Sequence, residues 1–174
     1  MEPIVSMIMA HDGDYGIGHE NKLPWPNLKE DMAWFQKHTA GKVCIMGRRT
    51  WESLPVKPLP NRCNVVLTSY DNIPGVKTFA TIQDVLAYYK KEKEIMLIGG
   101  ALLFRGCRDF ITRAYITTIP NIYPSDLKVE GNWEDWDRVY YDAFSTDKCS
   151  FSIYEKVDGI DLEIYYSKGN VSEK

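Results

Sequence analysis

One carboxylate, Asp31, lies among the apolar residues of the stretch PWPNLKEDMAWFQKHT, residues 24–39, whereas Glu30 faces elsewhere. At about 100° per residue, Leu28, Met32 and Phe35 form one helical stripe, and Asp31 falls on its edge. A carboxylate in that position can accept two hydrogen bonds from a flat, weakly basic heterocycle, in the fork geometry that holds a guanidinium. Partial burial should raise the pKa of Asp31 above its reference value of about 3.9. The alternative is that Asp31 lies at the solvent boundary and has no chemical role.

The helix that carries Asp31 is predicted to run from about Leu28 to His38. Asn27 is the predicted N-cap, and Glu30 follows three residues later at the spacing of a capping box. Gly41 supplies the stop signal.

Two further segments could bind anions. In IMGRRTWESL (45–54), Gly47 permits a tight turn, and Arg48 and Arg49 then open a short helix. Two arginines at a helix N-terminus oppose the helix dipole unless an anion is present.

In EIMLIGGALLF (94–104), Gly99 and Gly100 lie between a strand and a helix, where backbone can approach a pyrophosphate. The spacing is not GxGxxG, so a standard Rossmann site is not supported. A solvated basic turn and simple packing of glycine are the alternatives.

The segment HDGDYGIGHENKLPWP (11–26) is long for a connection and rich in glycine and proline. Such a segment is typical of a lid or binding loop, and an irregular surface loop is the alternative. We call it the lid loop.

The strands and helices of the fold must bring these segments together. Along the chain, short apolar runs typical of strands alternate with helical segments. Strands are predicted at 4–10, 42–46, 64–68, 77–80, 94–98 and 114–119, with helices between them near 49–54, 82–92 and 101–110. Three later strands lie within 137–144, 150–157 and 160–167, and Asp158-Gly159 predicts a hairpin between the last two. The expected fold is α/β: a mixed, mostly parallel sheet of about eight strands with an antiparallel C-terminal edge and about four flanking helices. Ligands in such sheets bind beyond the carboxyl ends of the strands.

Chain length, net charge and the positions of histidine and cysteine exclude several classes of function. A chain of 174 residues with net charge −3 is expected to be one domain that binds neither nucleic acid nor membrane, in the cytoplasm. The three histidines form no triad or ligand set, so no metal is expected. The four cysteines are scattered, as structural thiols are.

Five ordered motifs, IGHENKLPW, DMAWF, IMGRRTWESL, PLPNR and LIGG, resemble those of dihydrofolate reductase, and the resemblance spans about Ile4 to Tyr166. It implies a monomeric, NADPH-dependent reductase of dihydrofolate, with residues 1–168 as the domain and 169–174 as a loose tail. It also implies a catalytic role for Asp31, with Thr117 bonded to it, and for Leu23 and Trp25 at the end of the lid loop, Trp25 beside a water near the pterin.

The resemblance further implies two sets of binding residues. Arg62 should hold the glutamate carboxylate of the substrate, and the substrate-binding set is Ile8, Met9, Asp31, Met32, Phe35, Leu54, Leu59, Arg62, Ile98 and Thr117. The cofactor-binding set is Ala10, Ile17, Gly18, Gly47, Arg48, Arg49, Thr50, Ser53, Thr68, Ser69, Gly99, Gly100, Ala101, Leu102, Leu103 and Phe104.

Three positions depart from the pattern of that family. Phe104 replaces a frequent tyrosine, Leu102 replaces a frequent polar residue, and YPSDLKVEG (123–131) lacks the usual Gly-Asp-Thr while keeping Asp126. Two alternative functions remain. A riboflavin-pathway reductase of the same superfamily would not need Asp31 on an apolar helix face or Arg62. A non-catalytic pterin- or nucleotide-binding protein would keep the binding residues without turnover.

Overall fold

The computed structural model describes residues 2–20, 22–70, 73–133, 136–142, 149–156 and 161–166. Its strands are β1 (Ile4–His11), β2 (Gly16–Gly18), β3 (Val43–Gly47), β4 (Cys63–Leu67), β5 (Lys77–Phe79), β6 (Glu94–Gly99), β7 (Arg113–Thr118), β8 (Leu127–Asn132), β9 (Trp136–Asp142), β10 (Ser150–Lys156) and β11 (Asp161–Tyr166). The predicted loose tail lies outside the described residues, as does the Asp158-Gly159 turn.

An eight-stranded sheet forms the centre of the fold, in the order β5-β4-β3-β6-β1-β7-β10-β9. Neighbouring strands from β5 to β7 are parallel, and β10 is antiparallel to both β7 and β9. The predicted mixed sheet with an antiparallel C-terminal edge is therefore confirmed. Its parallel strands were recognisable because strands covered on both faces are continuously apolar.

Four helices accompany the sheet in the described residues: α1 (Lys29–Thr39), α2 (Arg48–Ser53), α3 (Ile82–Tyr88) and α4 (Ala101–Gly106). The predicted helix at 101–110 is divided, because α4 ends at Gly106 and a separate 3₁₀ turn spans Arg108–Phe110. No helix among the described residues has the length and apolar character needed to cross a lipid bilayer.

The predicted capping box at the start of α1 is wrong. Leu28, not Asn27, occupies the N-cap position in an extended conformation, and no side chain caps the helix. Leu28 packs against the apolar cluster that contains Ile8 and Trp25. This packing of the partly buried Leu28 competes with the cap of about 1 kcal/mol that Asn27 would supply. Glu30 is then the second helical residue, too close to the N-cap for the reciprocal bond of a capping box.

The predicted hairpin between the last two strands is also wrong. Strand β10 already pairs with β7 on one edge and β9 on the other, so it has no edge left for β11. Strand β11 pairs instead with β8, in a second sheet of order β11-β8-β2.

Alternation along β1 divides the core between the two faces of the central sheet. Val5, Met7 and Met9 belong to a cluster that includes residues of α3 and α4. Ile8, between Met7 and Met9, belongs to the opposite cluster with Trp25 and Trp34. Successive side chains of a strand point to opposite faces, so Ile8 and Met9 cannot form the same wall.

Candidate active site

Asp31 is connected to the sheet by one hydrogen bond. The hydroxyl of Thr117, on β7, donates to Oδ1 of Asp31, on α1, over 2.8 Å. Thr117 is buried, whereas Asp31 is partly exposed. The carboxylate therefore has a fixed orientation and keeps acceptor capacity toward a ligand.

Burial raises the pKa of Asp31, and the hydrogen bond from Thr117 lowers it in part. The direction agrees with the sequence-based expectation, and the cause is desolvation of the charged form. A carboxylate with that environment favours a partner that presents N–H donors to it.

Apolar side chains surround this carboxylate on the same face of the sheet. Ile8, Trp25, Leu28, Phe35 and Ile98 share one cluster, and Ile98 also contacts a second cluster beside Leu54 and Leu59. Because Ile98 belongs to both clusters, the predicted wall is continuous from α1 to the segment after α2.

Three predicted site residues are placed differently from this wall. Met9 packs on the opposite face of the sheet. Met32 and Leu23 are 56% and 55% exposed. The inward face of α1 is centred on Trp34 and Phe35 rather than on Met32, because Trp34 is the larger apolar side chain and is buried.

Arg62 is held in place by groups of the protein. Its Nε donates to the carbonyl of Pro60 over 2.8 Å, and Nη1 donates to Oγ1 of Thr39 over 3.1 Å. The guanidinium also lies 5.7 Å from the ring centroid of Phe35. These contacts leave further N–H groups of Arg62 for a carboxylate ligand.

Thr39 is a site residue that sequence reasoning missed. It is fully buried, donates its hydroxyl to the carbonyl of Phe35 over 2.6 Å and accepts from Arg62. A threonine at the end of a helix carries no signal of a partner 23 residues away.

The two predicted anion-binding segments lie side by side, because β3 and β6 are neighbours in the sheet. The region between them is narrow. A Cβ added to Gly100 would lie 3.7 Å from Oγ1 of Thr50, and one added to Gly47 would lie 3.9 Å from the carbonyl oxygen of Gly99. Gly99 has φ +127°, which a residue with a side chain rarely adopts. Glycines here keep the backbone of both helix starts accessible.

Arg48, at the start of α2, has contacts within the protein that the sequence did not predict. Nε of Arg48 donates to Oε1 of Glu52 over 2.9 Å, and its guanidinium lies 4.9 Å from the ring centroid of Tyr70. Arg49 is exposed. The hydroxyl of Ser53 donates to the carbonyl of Thr50 over 2.8 Å. Arg48 thus has an internal counter-charge, which removes part of its conflict with the helix dipole.

The other predicted cofactor residues differ in exposure. Ala101, Leu103 and Phe104 are buried in the core, and Leu102 is 49% exposed. An apolar recess of about 240 Å³ adjoins them, lined by Leu67, Thr81, Ile82, Gln83, Leu102, Leu103, Gly106, Cys107 and Phe110. Apart from Leu102 and Leu103, these lining residues lie outside the predicted cofactor set, because they come from segments distant in sequence.

The lid loop is paired with the segment around β8. The amide of Asp126 donates to the carbonyl of Gly18 over 3.0 Å, and the amide of Glu20 donates to Oδ2 of Asp126 over 2.7 Å. Asp126 therefore contacts the lid loop despite the missing Gly-Asp-Thr. A Cβ on Gly16 would lie 2.6 Å from Oγ of Ser125, so this close approach requires glycine.

Asp12 at the base of the lid loop was also missed. Its fully buried carboxylate accepts from the amides of Asp14 and Gly16 through Oδ1 and from the amide of Tyr123 through Oδ2, over 2.8–2.9 Å. These bonds join the lid loop to the segment after β7. Burial of Asp12 depends on the tertiary fold and leaves no periodic signal in the sequence.

The histidines occupy separate surroundings. Burial lowers the pKa of His11, and burial together with Lys37 and Lys42 lowers the pKa of His38 to about 4. No group of three or more His, Cys, Asp or Glu side chains with metal-binding geometry occurs within the described ranges.

A partly buried carboxylate on an apolar wall, in an α/β sheet with two glycine-bordered helix starts, is consistent with an enzyme that binds a flat heterocycle beside a dinucleotide. The dihydrofolate reductase family model matches residues 4–156. The chain belongs to the dihydrofolate reductase family.

Individual relatives agree with this assignment. The chain is 36% identical to dihydrofolate reductase of Neisseria gonorrhoeae over 141 residues, covering 79% of this chain and 83% of that protein. It is 37% identical to dihydrofolate reductase of Bacillus subtilis over 137 residues, covering 75% and 80%. The structure of dihydrofolate reductase from Enterococcus faecalis complexed with NADP(H) matches with a TM-score of 0.77 and 29% identity, covering 89% of this chain and 97% of that chain.

Proposed function

We propose that this protein catalyses the NADPH-dependent reduction of 7,8-dihydrofolate to 5,6,7,8-tetrahydrofolate. The observation that carries the proposal is the Thr117–Asp31 hydrogen bond of 2.8 Å on an apolar, partly buried helix face. It leaves one oriented carboxylate where an amino-pyrimidine edge can donate two hydrogen bonds, in the same geometry by which a guanidinium meets a carboxylate.

Asp31 holds the pterin ring in one orientation, and Ile8, Phe35, Leu54, Leu59 and Ile98 enclose its apolar faces. Holding two reactants in a reactive geometry can lower a barrier by about 7–11 kcal/mol in ideal cases. Met32 lies on the exposed side of α1, so its contact is with the outer part of the substrate. Met9 contributes through its backbone, since its side chain points to the other face.

Arg62 binds the glutamate carboxylate of the substrate. Its bonds to Thr39 and Pro60 fix the plane of the guanidinium before the ligand arrives. A preoriented guanidinium loses less conformational entropy on forming a bidentate pair with a carboxylate.

The residues at the two helix starts fit NADPH, because Gly47, Gly99 and Gly100 have no side chain that would cover the backbone and block a diphosphate. Ala101 and Leu102 follow these glycines, and Leu103 and Phe104 support them from the core. Arg48, Arg49, Thr50 and Ser69 hold the 2′-phosphate and nearby phosphate groups, with Thr68 beside them. Ala10, Ile17 and Gly18 contact the cofactor from the lid side. Ser53 supports α2 through its bond to Thr50. When bound, NADPH supplies the hydride for the pterin ring.

The proton reaches the ring nitrogen through a water beside Trp25, while ionised Asp31 polarises the ring. Trp25 is buried against Ile8 and Leu28, which fixes its indole at the end of the lid loop. Leu23 is the lid residue that limits access of bulk water. The protein acts in the cytoplasm as a monomer. Size-exclusion chromatography with light scattering would check the monomeric state.

The activity assay is the loss of absorbance of NADPH on mixing protein, NADPH and dihydrofolate. Asp31→Asn should lower the hydride-transfer rate by about 100-fold, since it removes the ionised group that the step requires. Glu30→Gln removes the neighbouring charge of α1 and should leave the rate unchanged. Binding of both ligands to the wild-type protein without turnover would support a non-catalytic binding protein instead. An unchanged rate and pH profile in Asp31→Asn would refute the role of Asp31.

A further inference from the structure

A second sheet, separate from the central one, contains part of the lid loop. It consists of β2, which lies in the lid loop, β8 in the middle and β11 on the outer side. All six residues of β11 pair with β8, from Asp161 opposite Asn132 to Tyr166 opposite Leu127. The family model match ends at Lys156, so β11 lies beyond it.

One edge of β8 is occupied by the lid loop. Gly16 pairs with Lys128, and the amide of Val129 donates to the carbonyl of Tyr15 over 3.0 Å. The amide of Asp126, just before β8, donates to Gly18 over 3.0 Å. The conformation of the lid loop therefore depends on β8 remaining extended.

The direction of the Val129 amide determines which groups of β8 face β11. Successive backbone groups of a strand point to opposite sides, so Lys128 and Glu130 direct their N–H and C=O groups toward β11. Their partners in register are Tyr165 and Glu163. Glu163 and Tyr165 therefore place their amides in the ladder, whereas the amide of Ile164 points away from β8.

The number of strands determines the stability of such a sheet. A two-stranded ribbon in water is marginal, and a third strand is generally needed for independent stability. Without β11, the ladder between β2 and β8 would be a short ribbon with an unpaired outer edge on β8.

We propose that β11 is a C-terminal strap (Asp161–Tyr166) that holds β8 in register with the lid loop and so fixes the conformation of the lid loop. The effect on catalysis rests on the proposed function, in which Ile17 and Gly18 of the lid loop contact NADPH. The effect on lid conformation does not depend on the reaction.

Amide hydrogen exchange of the full chain tests the strap. Glu163→Pro removes an amide from the ladder, and Glu163→Ala removes the same side chain but keeps the amide. We expect exchange at the amides of Val129 and Asp126 to be about tenfold faster in Glu163→Pro than in Glu163→Ala. The amide of Thr112, which donates to Val5 in the central fold, should be unchanged.

Ile164→Pro is the matched directional control, because proline is tolerated on an edge strand where the amide faces away from the ladder. It should leave the Val129 and Asp126 amides close to wild type. Equal exchange in Glu163→Pro and Glu163→Ala, or equal acceleration by Ile164→Pro and Glu163→Pro, would overturn the proposal. Tyr165→Pro against Tyr165→Ala repeats the test at a second position if Glu163→Pro does not fold.

Turnover separates the strap from the proposed function. Slower hydride transfer in Glu163→Pro, with normal rates in Glu163→Ala and Ile164→Pro, would support coupling of the strap to the lid. No turnover in the wild-type chain would refute the proposed function and leave the exchange comparison as the test of the strap.

Discussion

Oγ1 of Thr117 lies 2.8 Å from Oδ1 of Asp31 and donates its hydrogen bond to the charged form of that carboxyl group. Burial raises the pKa of Asp31, and this bond opposes that effect. Thr117 therefore holds the pKa of Asp31 below the value that burial alone would give.

Thr117→Val should move the acid limb of the rate profile to higher pH. Valine has nearly the shape of threonine and fits the buried position, but it cannot stabilise ionised Asp31. At a pH on the acid limb the rate of hydride transfer should fall by about three- to tenfold. Stopped-flow rates measured across pH check this, and Thr117→Ser, which keeps the hydroxyl, should retain the wild-type profile. An acid limb that stays in place in Thr117→Val would show that the bond does not tune Asp31.

Thr39→Val should weaken substrate binding more than it slows the chemical step. The hydroxyl of Thr39 accepts from Nη1 of Arg62, so its loss leaves the guanidinium less well oriented. KM for dihydrofolate should rise by about tenfold with kcat nearly unchanged, because the reacting ring is not touched. Steady-state kinetics measure both constants, and Thr39→Ser should restore KM. A matching fall in kcat would contradict a role confined to Arg62.

The main sheet was predictable because its strands are short apolar runs between clear turn signals, and such runs specify buried parallel strands. The hairpin at Asp158-Gly159 was not, because a turn signal does not reveal that β10 has both edges occupied. The N-cap at Asn27 was wrong for a similar reason, since the packing of Leu28 is a tertiary contact that the local capping signal does not show.

The active site likewise contains residues that the sequence predicted and residues that it missed. Asp31 and Thr117 were predicted from resemblance to a family, and the structure brings them together. Asp12 and Thr39 were missed because their roles come from partners distant in sequence, Tyr123 and Arg62. Met9 was misplaced because the pattern of β1, apolar on both faces, does not show which side chain faces the site.

The double variant Arg48→Ala, Arg49→Ala should lower affinity for NADPH much more than affinity for NADH. Arg48 is already paired with Glu52, so its contact with a phosphate competes with that pair, and Arg49 is the exposed cation. Loss of charge-assisted bonds to one phosphate should cost about 10- to 100-fold in the dissociation constant of NADPH. Fluorescence titration with both cofactors measures the difference, with Arg108→Ala as an exposed control. Equal losses for both cofactors would show that these arginines do not bind the 2′-phosphate.

Glu94 is the centre of a charged network at the opposite end of the parallel strands. It accepts from Ser6 over 2.7 Å, from Tyr115 over 2.8 Å and from Nη1 of Arg113 over 3.1 Å, and it also pairs with Lys42. Burial alone would raise the pKa of Glu94, but the bonds from Lys42, Ser6 and Tyr115 outweigh burial and hold it at about 2.

Glu94→Gln should therefore destabilise the protein in a pH-dependent way. Because the folded pKa of about 2 lies below the ordinary glutamate pKa of 4.5, ionised Glu94 stabilises the fold above pH 4.5, and that stability is lost as the pH falls toward 2. Breaking the network should lower the free energy of unfolding by about 3 kcal/mol at pH 7, with a smaller difference near pH 3. Urea denaturation at both pH values measures this, with the exposed Glu92→Gln as control. A difference between variant and wild type that is independent of pH would mean that the carboxylate charge of Glu94 does not stabilise the fold.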